Sequence, residues 1–162
     1  MSSSLPVVGQ PAPSFSVTDE TGKPVSLSDF LGSYVVLYFY PKDDTPGCTK
    51  EACSFRDHDE TLTSQGIVVL GASLDDATQH KKFIQKYNLT FPLLVDADGS
   101  LCAAYGTWGE KSMYGKTYMG VSRTTFLIDP KGVLFHIITK VSVDTHAKDV
   151  EAIIQAHKTV QP

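Results

Sequence analysis

Residues 34–48, with the sequence YVVLYFYPKDDTPGC, join an unbroken apolar run to a cysteine. Every residue from Tyr34 to Tyr40 is β-branched, aliphatic or aromatic. A run of this length and composition is typical of a strand that is buried on both faces, as in the centre of an α/β sheet. Pro41 ends the strand, and Thr45-Pro46 supplies a helix start signal, because threonine is a favoured N-cap and proline a favoured first helical residue. The stretch therefore predicts a central strand, a short loop and a helix that begins beside Cys48.

Strand and helix patterns alternate on both sides of this stretch. Turn signals at 19–22 (Asp-Glu-Thr-Gly) and 129–132 (Asp-Pro-Lys-Gly) each separate two short strand-like segments. The patterns predict strands at 15–18, 25–27, 34–40, 67–72, 93–95, 124–128 and 133–138, helices at 45–64, 76–87 and 144–158, and short helical segments at 28–32 and 101–104. Strands that alternate with helices and close with a hairpin imply a mixed sheet covered by helices on both faces. We predict an α/β fold, a thioredoxin-like three-layer α/β/α sandwich with an N-terminal β-hairpin extension.

Length and composition exclude several classes of protein. The chain of 162 residues predicts one domain over 1–162, and its formal charge of −4 argues against a nucleic-acid or anionic-membrane partner. No apolar run approaches the length of a membrane span, and the first residues lack the charged and apolar regions of a secretory signal. Three cysteines, an odd number, do not suit a secreted disulfide scaffold. We therefore expect a cytoplasmic protein whose cysteines are buried, metal-bound or catalytic.

Cys48 falls in the first turn of the predicted helix, directly after the most apolar strand. The N-terminus of a helix carries unpaired N–H groups and a partial positive charge, which stabilise an anion such as a thiolate. In open α/β sheets, sites also tend to lie at the ends of the central strands. The alternative is a small buried cysteine that happens to follow a helix cap, since free cysteine is often buried. The position favours a reactive thiol.

Several separate segments resemble the peroxiredoxins. Pro41-x-x-x-Thr45-x-x-Cys48 is similar to the signature of that family, and Thr45-Pro46-Gly47-Cys48-Thr49 with a second cysteine at Cys53 resembles its bacterioferritin-comigratory-protein (Q-type) subfamily. The similarity extends through the segments Gly9-Gln10-Pro11-Ala12-Pro13-Ser14-Phe15, Trp108-Gly109-Glu110-Lys111, Gly115-Lys116-Thr117-Tyr118 and Arg123-Thr124-Thr125-Phe126-Leu127-Ile128-Asp129. Agreement over that many segments is far more specific than one short motif.

The resemblance implies a role for each matching residue. Cys48 would be the nucleophile that attacks a peroxide, the Thr45 hydroxyl would hydrogen-bond the peroxide and the thiolate, and Pro41 would shield the site from water. Arg123 would reach the thiolate with a guanidinium that stays charged and donates several hydrogen bonds in a fixed fork. Without the resemblance, Arg123 would be read as a surface strand residue.

Glu51 matches a glutamate that orients the arginine in many peroxiredoxins. It could equally be an acid that the helix dipole favours near the helix start. As a like charge close by, its carboxylate would also disfavour the Cys48 thiolate.

Cys53 is the nearest thiol that could convert an oxidised Cys48 into a disulfide. Some relatives carry the resolving cysteine on the helix after the second central strand, but the helix predicted at 76–87 contains none. Five residues of ideal helix separate the two Cα atoms by about 8.7 Å, whereas a disulfide needs less than about 7 Å. We therefore predict that the first turn and a half of the helix unwinds on oxidation.

Other interpretations of the cysteines are weaker. A zinc site would need two more ligands beside Cys48 and Cys53, and the five histidines are scattered through the sequence. No Cys-x-x-Cys dithiol is present. Cys102 lies in a short apolar segment and is expected to be a buried, inert thiol. Trp108 and Tyr114 are expected in a glycine-rich loop that could line the site or a partner surface.

The resemblance implies a thiol peroxidase that reduces hydrogen peroxide and organic hydroperoxides and needs no metal, haem or flavin. An external dithiol, thioredoxin or a glutaredoxin-like protein, would reduce the Cys48–Cys53 disulfide, and the subfamily suggests a monomer. Two alternatives use the same fold. One is a redox sensor or thiol-dependent chaperone that needs a client protein, and the other is a plain α/β binding module with incidental cysteines.

Overall fold

The fold is taken from a computed structural model, which describes residues 5–160. Its strands are β1 (Ser16–Asp19), β2 (Pro24–Ser26), β3 (Tyr34–Phe39), β4 (Ile67–Ser73), β5 (Leu93–Val95), β6 (Trp108–Met113), β7 (Lys116–Val121), β8 (Thr124–Ile128) and β9 (Leu134–Ile138). Its helices are α1 (Pro46–Ser64), α2 (Ala77–Tyr87), α3 (Ser100–Ala104) and α4 (His146–Val160), with a 3₁₀ turn at Leu27–Phe30. The predicted strands and helices are present, with bounds that differ by at most two residues for the elements that form the main sheet and its long helices.

The main sheet has seven strands in the order β2-β1-β5-β4-β3-β8-β9. β3 pairs with β4 and β4 with β5 in parallel, while β8 pairs antiparallel with the other edge of β3. The sheet is therefore mixed, as the alternation of strands and helices followed by a hairpin predicted. β3 lies between β4 and β8, so its continuous apolar sequence reflects burial on both faces.

Alternate side chains of β3 enter two separate cores because successive residues of a strand point to opposite faces. Val36, Tyr38 and Tyr40 join the core under α1, α2 and α4, which contains Phe55, Phe83, Val150 and Ile154. Val35, Leu37 and Phe39 join the core on the other face, which contains Leu101, Cys102 and Tyr105. Helical segments thus cover both faces of the sheet, and the predicted three-layer arrangement is confirmed.

The expectation of a glycine-rich loop around Trp108 and Tyr114 is wrong. β6 and β7 form a separate two-stranded antiparallel hairpin, in which Trp108 pairs with Val121. Tyr114 and Gly115 form the two-residue turn, with φ of 54° and 77°. Positive φ at both positions is the requirement of the tight turn that best fits the twist of a hairpin. Trp108 is half-buried, whereas Tyr114 is 97% exposed at the tip.

Candidate active site

The start of α1 places Cys48 at the end of the central strand. Thr45 is the N-cap residue in extended conformation, and Pro46 occupies the first turn. The Thr49 N–H donates to the Thr45 carbonyl over 2.8 Å, so Cys48 lies inside the first turn, where N–H groups lack partners within the helix. The Cys48 side chain is only 1% exposed. The position of the thiol at the helix N-terminus is the one that the sequence predicted, and its burial is the feature that the alternative interpretation expected.

Arg123 reaches Cys48 because the strand that follows it lies beside β3. The register pairs Phe39 with Thr124, so the residue before β8 stands next to the end of β3. One terminal nitrogen of the Arg123 guanidinium lies 3.2 Å from Cys48 Sγ, and the other donates to Glu51 Oε1 over 2.6 Å. The guanidinium therefore bridges the thiol and the carboxylate. The alternative interpretation of Arg123 as a surface strand residue is not the arrangement found.

Glu51 forms the buried end of this bridge. Its side chain is 0% exposed, one turn after Cys48 on α1. Burial raises the pKa of the Glu51 carboxyl to about 7, against the opposing effect of the Arg123 charge and hydrogen bond. Such a carboxylate is not a solvated acid at the start of a helix. The structure joins Glu51 to Arg123, the arrangement expected of a residue that orients the arginine.

The Thr45 hydroxyl is bonded to the loop that precedes α1. It donates to the Lys42 carbonyl over 2.8 Å and makes no side-chain cap of α1. That bond uses the hydroxyl hydrogen but leaves a lone pair on the Thr45 oxygen, which can accept a hydrogen bond from a peroxide O–H. Pro41 follows β3 and is exposed. The structure thus brings Cys48, Arg123 and Glu51 together, while the expected roles of Thr45 and Pro41 stay predictions.

The other two cysteines have different surroundings. Cys53 is half-buried on the same unbroken helix as Cys48, and both thiols are free. Cys102 is 0% exposed on α3, and burial raises the pKa of its thiol to about 12. A thiol that stays protonated is a poor nucleophile. Cys102 therefore has the environment of an inert core residue.

A second buried polar cluster fixes the loop between β3 and α1. Asp43 accepts from the Tyr40 hydroxyl and lies 2.6 Å from His80 Nδ1 on α2, and its own N–H donates to Asp75. His80 Nε2 lies 2.9 Å from the Leu94 carbonyl. Asp43, Asp75 and His80 could offer ligand atoms to a metal ion, since these atoms lie within 4.8 Å of one another. Within the described residues, however, they already bond to one another and to their neighbours.

Sequence reasoning missed two side chains close to the Arg123 bridge. His146, the first residue of α4, places Nε2 3.6 Å from Glu51 Oε2. Lys111 on β6 donates to the Val121 carbonyl, and burial together with the Arg123 charge lowers the pKa of its ammonium group, against the effect of Cys48. The signal for His146 was its spacing from Val150, which puts both on the buried face of α4. The signal for Lys111 was weak, because the hairpin that carries it was not predicted.

The family comparison decides the class of protein. The model of the AhpC/TSA family matches residues 8–137. The chain belongs to the AhpC/TSA family. Among curated proteins of this family, the chain is 52% identical to the putative peroxiredoxin bcp of Coxiella burnetii over 143 residues, which are 88% of the chain and 95% of that protein. It is 47% identical to peroxiredoxin Bcp of Bacillus subtilis over 142 residues, 88% of the chain and 90% of that protein.

Solved structures give the same grouping. Bacterioferritin comigratory protein of Xanthomonas campestris, solved in a study of its alkyl peroxide reduction, has 37% identity and a TM-score of 0.85 over 93% of this chain and 98% of that one. A PrxQ variant of Xylella fastidiosa has 33% identity and a TM-score of 0.89, over 96% of this chain and 99% of that one. The resemblance to Q-type peroxiredoxins and the thioredoxin-like α/β fold are confirmed, and the chain is a thiol peroxidase. Across residues 5–160, no helix is both long and apolar enough to cross a bilayer.

Proposed function

We propose that Cys48 is the peroxide-reducing thiol of this peroxiredoxin and that Cys53 resolves its oxidised form. The observation that supports this most strongly is the guanidinium of Arg123, which lies 3.2 Å from Cys48 Sγ at the start of α1. A fixed positive charge next to a thiol at a helix N-terminus favours the thiolate, which is the nucleophilic form. The burial of Cys102 leaves that thiol without comparable activation.

In the first step, the Cys48 thiolate attacks one peroxide oxygen and the O–O bond breaks. The sulfur is oxidised to a sulfenic acid, and the other oxygen leaves as an alcohol or as water after it takes up a proton. Arg123 stabilises the negative charge that builds on the leaving oxygen, because one of its terminal nitrogens is already held at the reacting sulfur. The Thr45 oxygen accepts the peroxide hydrogen bond, and Pro41 limits the entry of water. Hydrogen peroxide and organic hydroperoxides are the substrates.

In the second step, the Cys53 thiol attacks the sulfenic sulfur, a disulfide forms and water leaves. Both cysteines lie on one continuous helix, on which ideal geometry separates their Cα atoms by about 8.7 Å. Since a disulfide requires less than about 7 Å, the first turns of α1 must unwind before the bond can close. Glu51 lies between the two cysteines and has to leave Arg123 during this movement.

In the third step, an external dithiol reduces the disulfide and becomes a disulfide itself, which returns both cysteines to thiols. Thioredoxin, or a glutaredoxin-like protein, is the proposed reductant. The disulfide forms within one chain, so the chemistry of the cycle needs no second copy, and the resemblance to the Q-type subfamily supports a monomer. A reducing cytoplasm, where such dithiol reductants are kept reduced, is the proposed location.

Cysteine variants test the cycle. Cys48→Ser is expected to abolish peroxide consumption, because no other thiol is held against a guanidinium. Cys53→Ser is expected to consume one equivalent of peroxide and then stop when thioredoxin and its reductase are the only source of electrons. Cys102→Ser serves as the matched control and should turn over like the parent protein. The assay follows NADPH oxidation at steady state and peroxide loss in a single turnover.

The outcomes separate the two cysteine roles. Full turnover by Cys48→Ser would overturn the assignment of the nucleophile. Sustained thioredoxin-dependent turnover by Cys53→Ser would leave Cys48 as nucleophile but require another resolving thiol.

A further inference from the structure

The carboxylate of Glu51 is only half paired. Oε1 accepts from Arg123, whereas Oε2 has no hydrogen-bond partner among the described residues. A charged oxygen that is buried without a partner costs several kcal/mol unless a dipole faces it. The group that faces Glu51 Oε2 is the His146 ring, with Nε2 at 3.6 Å. This distance is longer than a hydrogen bond, but it is short for two groups that are both excluded from water.

His146 is buried in an orientation that restricts its tautomer. The ring is 1% exposed, Nε2 lies 2.7 Å from the Thr125 hydroxyl, and Nδ1 has no partner among the described residues. A hydrogen on Nδ1 would be a buried donor without an acceptor, which is rarer in proteins than an unpaired acceptor. The tautomer with hydrogen on Nε2 avoids this: its N–H donates to the Thr125 hydroxyl over 2.7 Å, and Glu51 Oε2 lies beside that bond at 3.6 Å from Nε2. The ring edge packs on Phe55 of α1, which fixes the plane of the imidazole.

Burial keeps the His146 ring neutral, although charged groups of both signs surround it. Glu51 faces it from α1, Arg123 from the segment before β8, the neutral Thr125 from β8, and Asp149 from its own helix. Burial lowers the pKa of His146 to about 4, and the Arg123 charge adds to this effect against that of Asp149. A neutral imidazole supplies an N–H dipole without adding a second cation beside Arg123.

We propose that His146 is a positioning residue of the thiol site: its Nε2–H is bonded to Thr125, and the positive end of this dipole, 3.6 Å from the free oxygen of Glu51, holds the carboxylate in the orientation that keeps Arg123 on Cys48. This role rests on the proposed function of Cys48. His146 touches neither the substrate nor the reacting sulfur. It links the start of α4 to the start of α1, and the Ala147 N–H, which donates to the Ser54 hydroxyl over 3.1 Å, ties the same two helix ends together.

Substitutions that keep or remove the donor at the Nε2 position test this role. In His146→Gln the side-chain amide can place an N–H near the position of Nε2, whereas in His146→Asn the amide falls near Nδ1. Both variants bury a polar amide of similar chemistry, so any loss of stability or activity that comes simply from replacing the histidine should be similar in the two. We expect His146→Gln to react with peroxide at close to the parent rate. His146→Asn and His146→Leu should be slower by about tenfold, because small misplacements of a catalytic group cost one to two orders of magnitude.

The pH dependence of the single-turnover rate distinguishes positioning from simple destabilisation. Without the Nε2–H dipole the carboxylate of Glu51 becomes harder to ionise. In His146→Asn and His146→Leu, the inflection of the rate–pH curve that belongs to Glu51 should therefore move to higher pH. In His146→Gln it should stay in place. Equal rates and equal pH profiles for all three variants would overturn the proposal. Because the Cys48 and Cys53 variants are tested separately, that result would leave the peroxidase mechanism intact.

A measurement on the unaltered protein keeps the proposal falsifiable if a variant fails to fold. Nitrogen-15 NMR of the reduced protein reports which ring nitrogen of each histidine carries hydrogen. Between about pH 6 and pH 8 we expect a neutral His146 with hydrogen on Nε2 and a bare Nδ1. A ring with hydrogen on Nδ1, or one that becomes protonated in this range, would overturn the proposed role.

Discussion

At the level of single residues, Arg123 occupies the space that a side chain at position 47 would need. A Cβ atom built on Gly47 would lie 3.1 Å from a terminal nitrogen of the Arg123 guanidinium, the same nitrogen that contacts Cys48 Sγ. The guanidinium cannot simply move aside, since Glu51 holds its other nitrogen at 2.6 Å. A glycine at this position therefore allows the helix start and the guanidinium to approach each other closely.

Gly47→Ala is expected to slow the reaction of Cys48 with peroxide by about tenfold, because the added methyl group displaces the guanidinium from the sulfur. The same change should stabilise the fold by up to about 1 kcal/mol, since alanine favours a helix more than glycine does. Stopped-flow measurement of the peroxide reaction and urea unfolding of the reduced protein give the two values. A parent-like rate would show that the guanidinium adjusts without loss of its contact.

The sequence predicted the three residues that the structure brings together, Cys48, Arg123 and Glu51, better than the histidine packed behind them. Cys48 and Arg123 could be found because each matches a family segment and has a residue type suited to its task. His146 was not found, because its contact with Glu51 joins distant parts of the chain through α4 and β8. Spacing along one helix shows that His146 is buried, but only the packing of two helices shows what it faces.

At the level of elements, the two ends of α1 are held with unequal strength. The C-terminal half contacts α4 through Glu151, which pairs with His58 at 2.8 Å and accepts from Gln65 at 2.7 Å. Leu62, at the same end, is fully buried in the core. The first turn and a half, by contrast, is held by the buried Cys48 and the Arg123–Glu51 contact, and it contains Gly47 and begins at an N-cap that makes no side-chain bond. The helix can therefore lose its first turns without losing its anchor on α4.

Oxidation to the Cys48–Cys53 disulfide is expected to increase backbone hydrogen exchange over residues 47–53 and to leave residues 58–64 protected. The physical reason is that the disulfide distance cannot be reached on an intact helix, whereas the distal contacts are not involved. Hydrogen exchange followed by mass spectrometry, on the reduced and the peroxide-treated protein, measures both segments. Treated Cys53→Ser is the control and should resemble the reduced protein. Unchanged protection over 47–53 in the disulfide form would contradict unwinding.

The hairpin of β6 and β7 shows where element prediction failed. Most of its residues are exposed, so the alternation between buried and exposed positions that identifies a strand is weak. The turn at Tyr114-Gly115 was also hidden, because tyrosine is an unusual residue at positive φ. β3, in contrast, was predicted almost to the residue, since burial on both faces leaves a continuous apolar sequence.

At the level of the whole molecule, a buried contact between Asp43 and His80 connects the loop before the active site to α2. Asp43 in that loop and His80 on α2 lie 2.6 Å apart, and their side chains are 5% and 0% exposed. His80 also contacts the Leu94 carbonyl on β5, and Asp43 accepts a hydrogen bond from the hydroxyl of Tyr40, which follows β3. A fully bonded buried pair of this kind fixes one arrangement of its elements, because breaking it leaves an uncompensated charge. The loop that carries Thr45 is thereby tied to the sheet and to α2.

This pair predicts a specific dependence of stability on pH. Burial lowers the pKa of His80, but the hydrogen bond and charge of Asp43 outweigh this effect, so the pKa in the folded protein is raised above its ordinary value of 6.5. The protonated ring binds its proton more tightly in the folded than in the unfolded chain. The resulting stabilisation is complete below about pH 6.5 and is lost as the pH rises through the raised pKa.

Urea unfolding of the reduced protein, at several pH values between about pH 6 and pH 9, tests this pH dependence. The His80→Gln variant is unfolded under the same conditions at each pH. We expect the difference in unfolding free energy between the parent and His80→Gln to be largest at the acid end and to shrink as the pH rises. Glu51 and His146 also titrate with shifted pKa values, but both are present in the two proteins, so the difference isolates His80. His136→Gln, at an exposed position on β9, is the matched control for the loss of a histidine and should show a small difference. A constant difference for His80→Gln would mean that the pKa of His80 is the same in the folded and the unfolded chain, which contradicts the prediction.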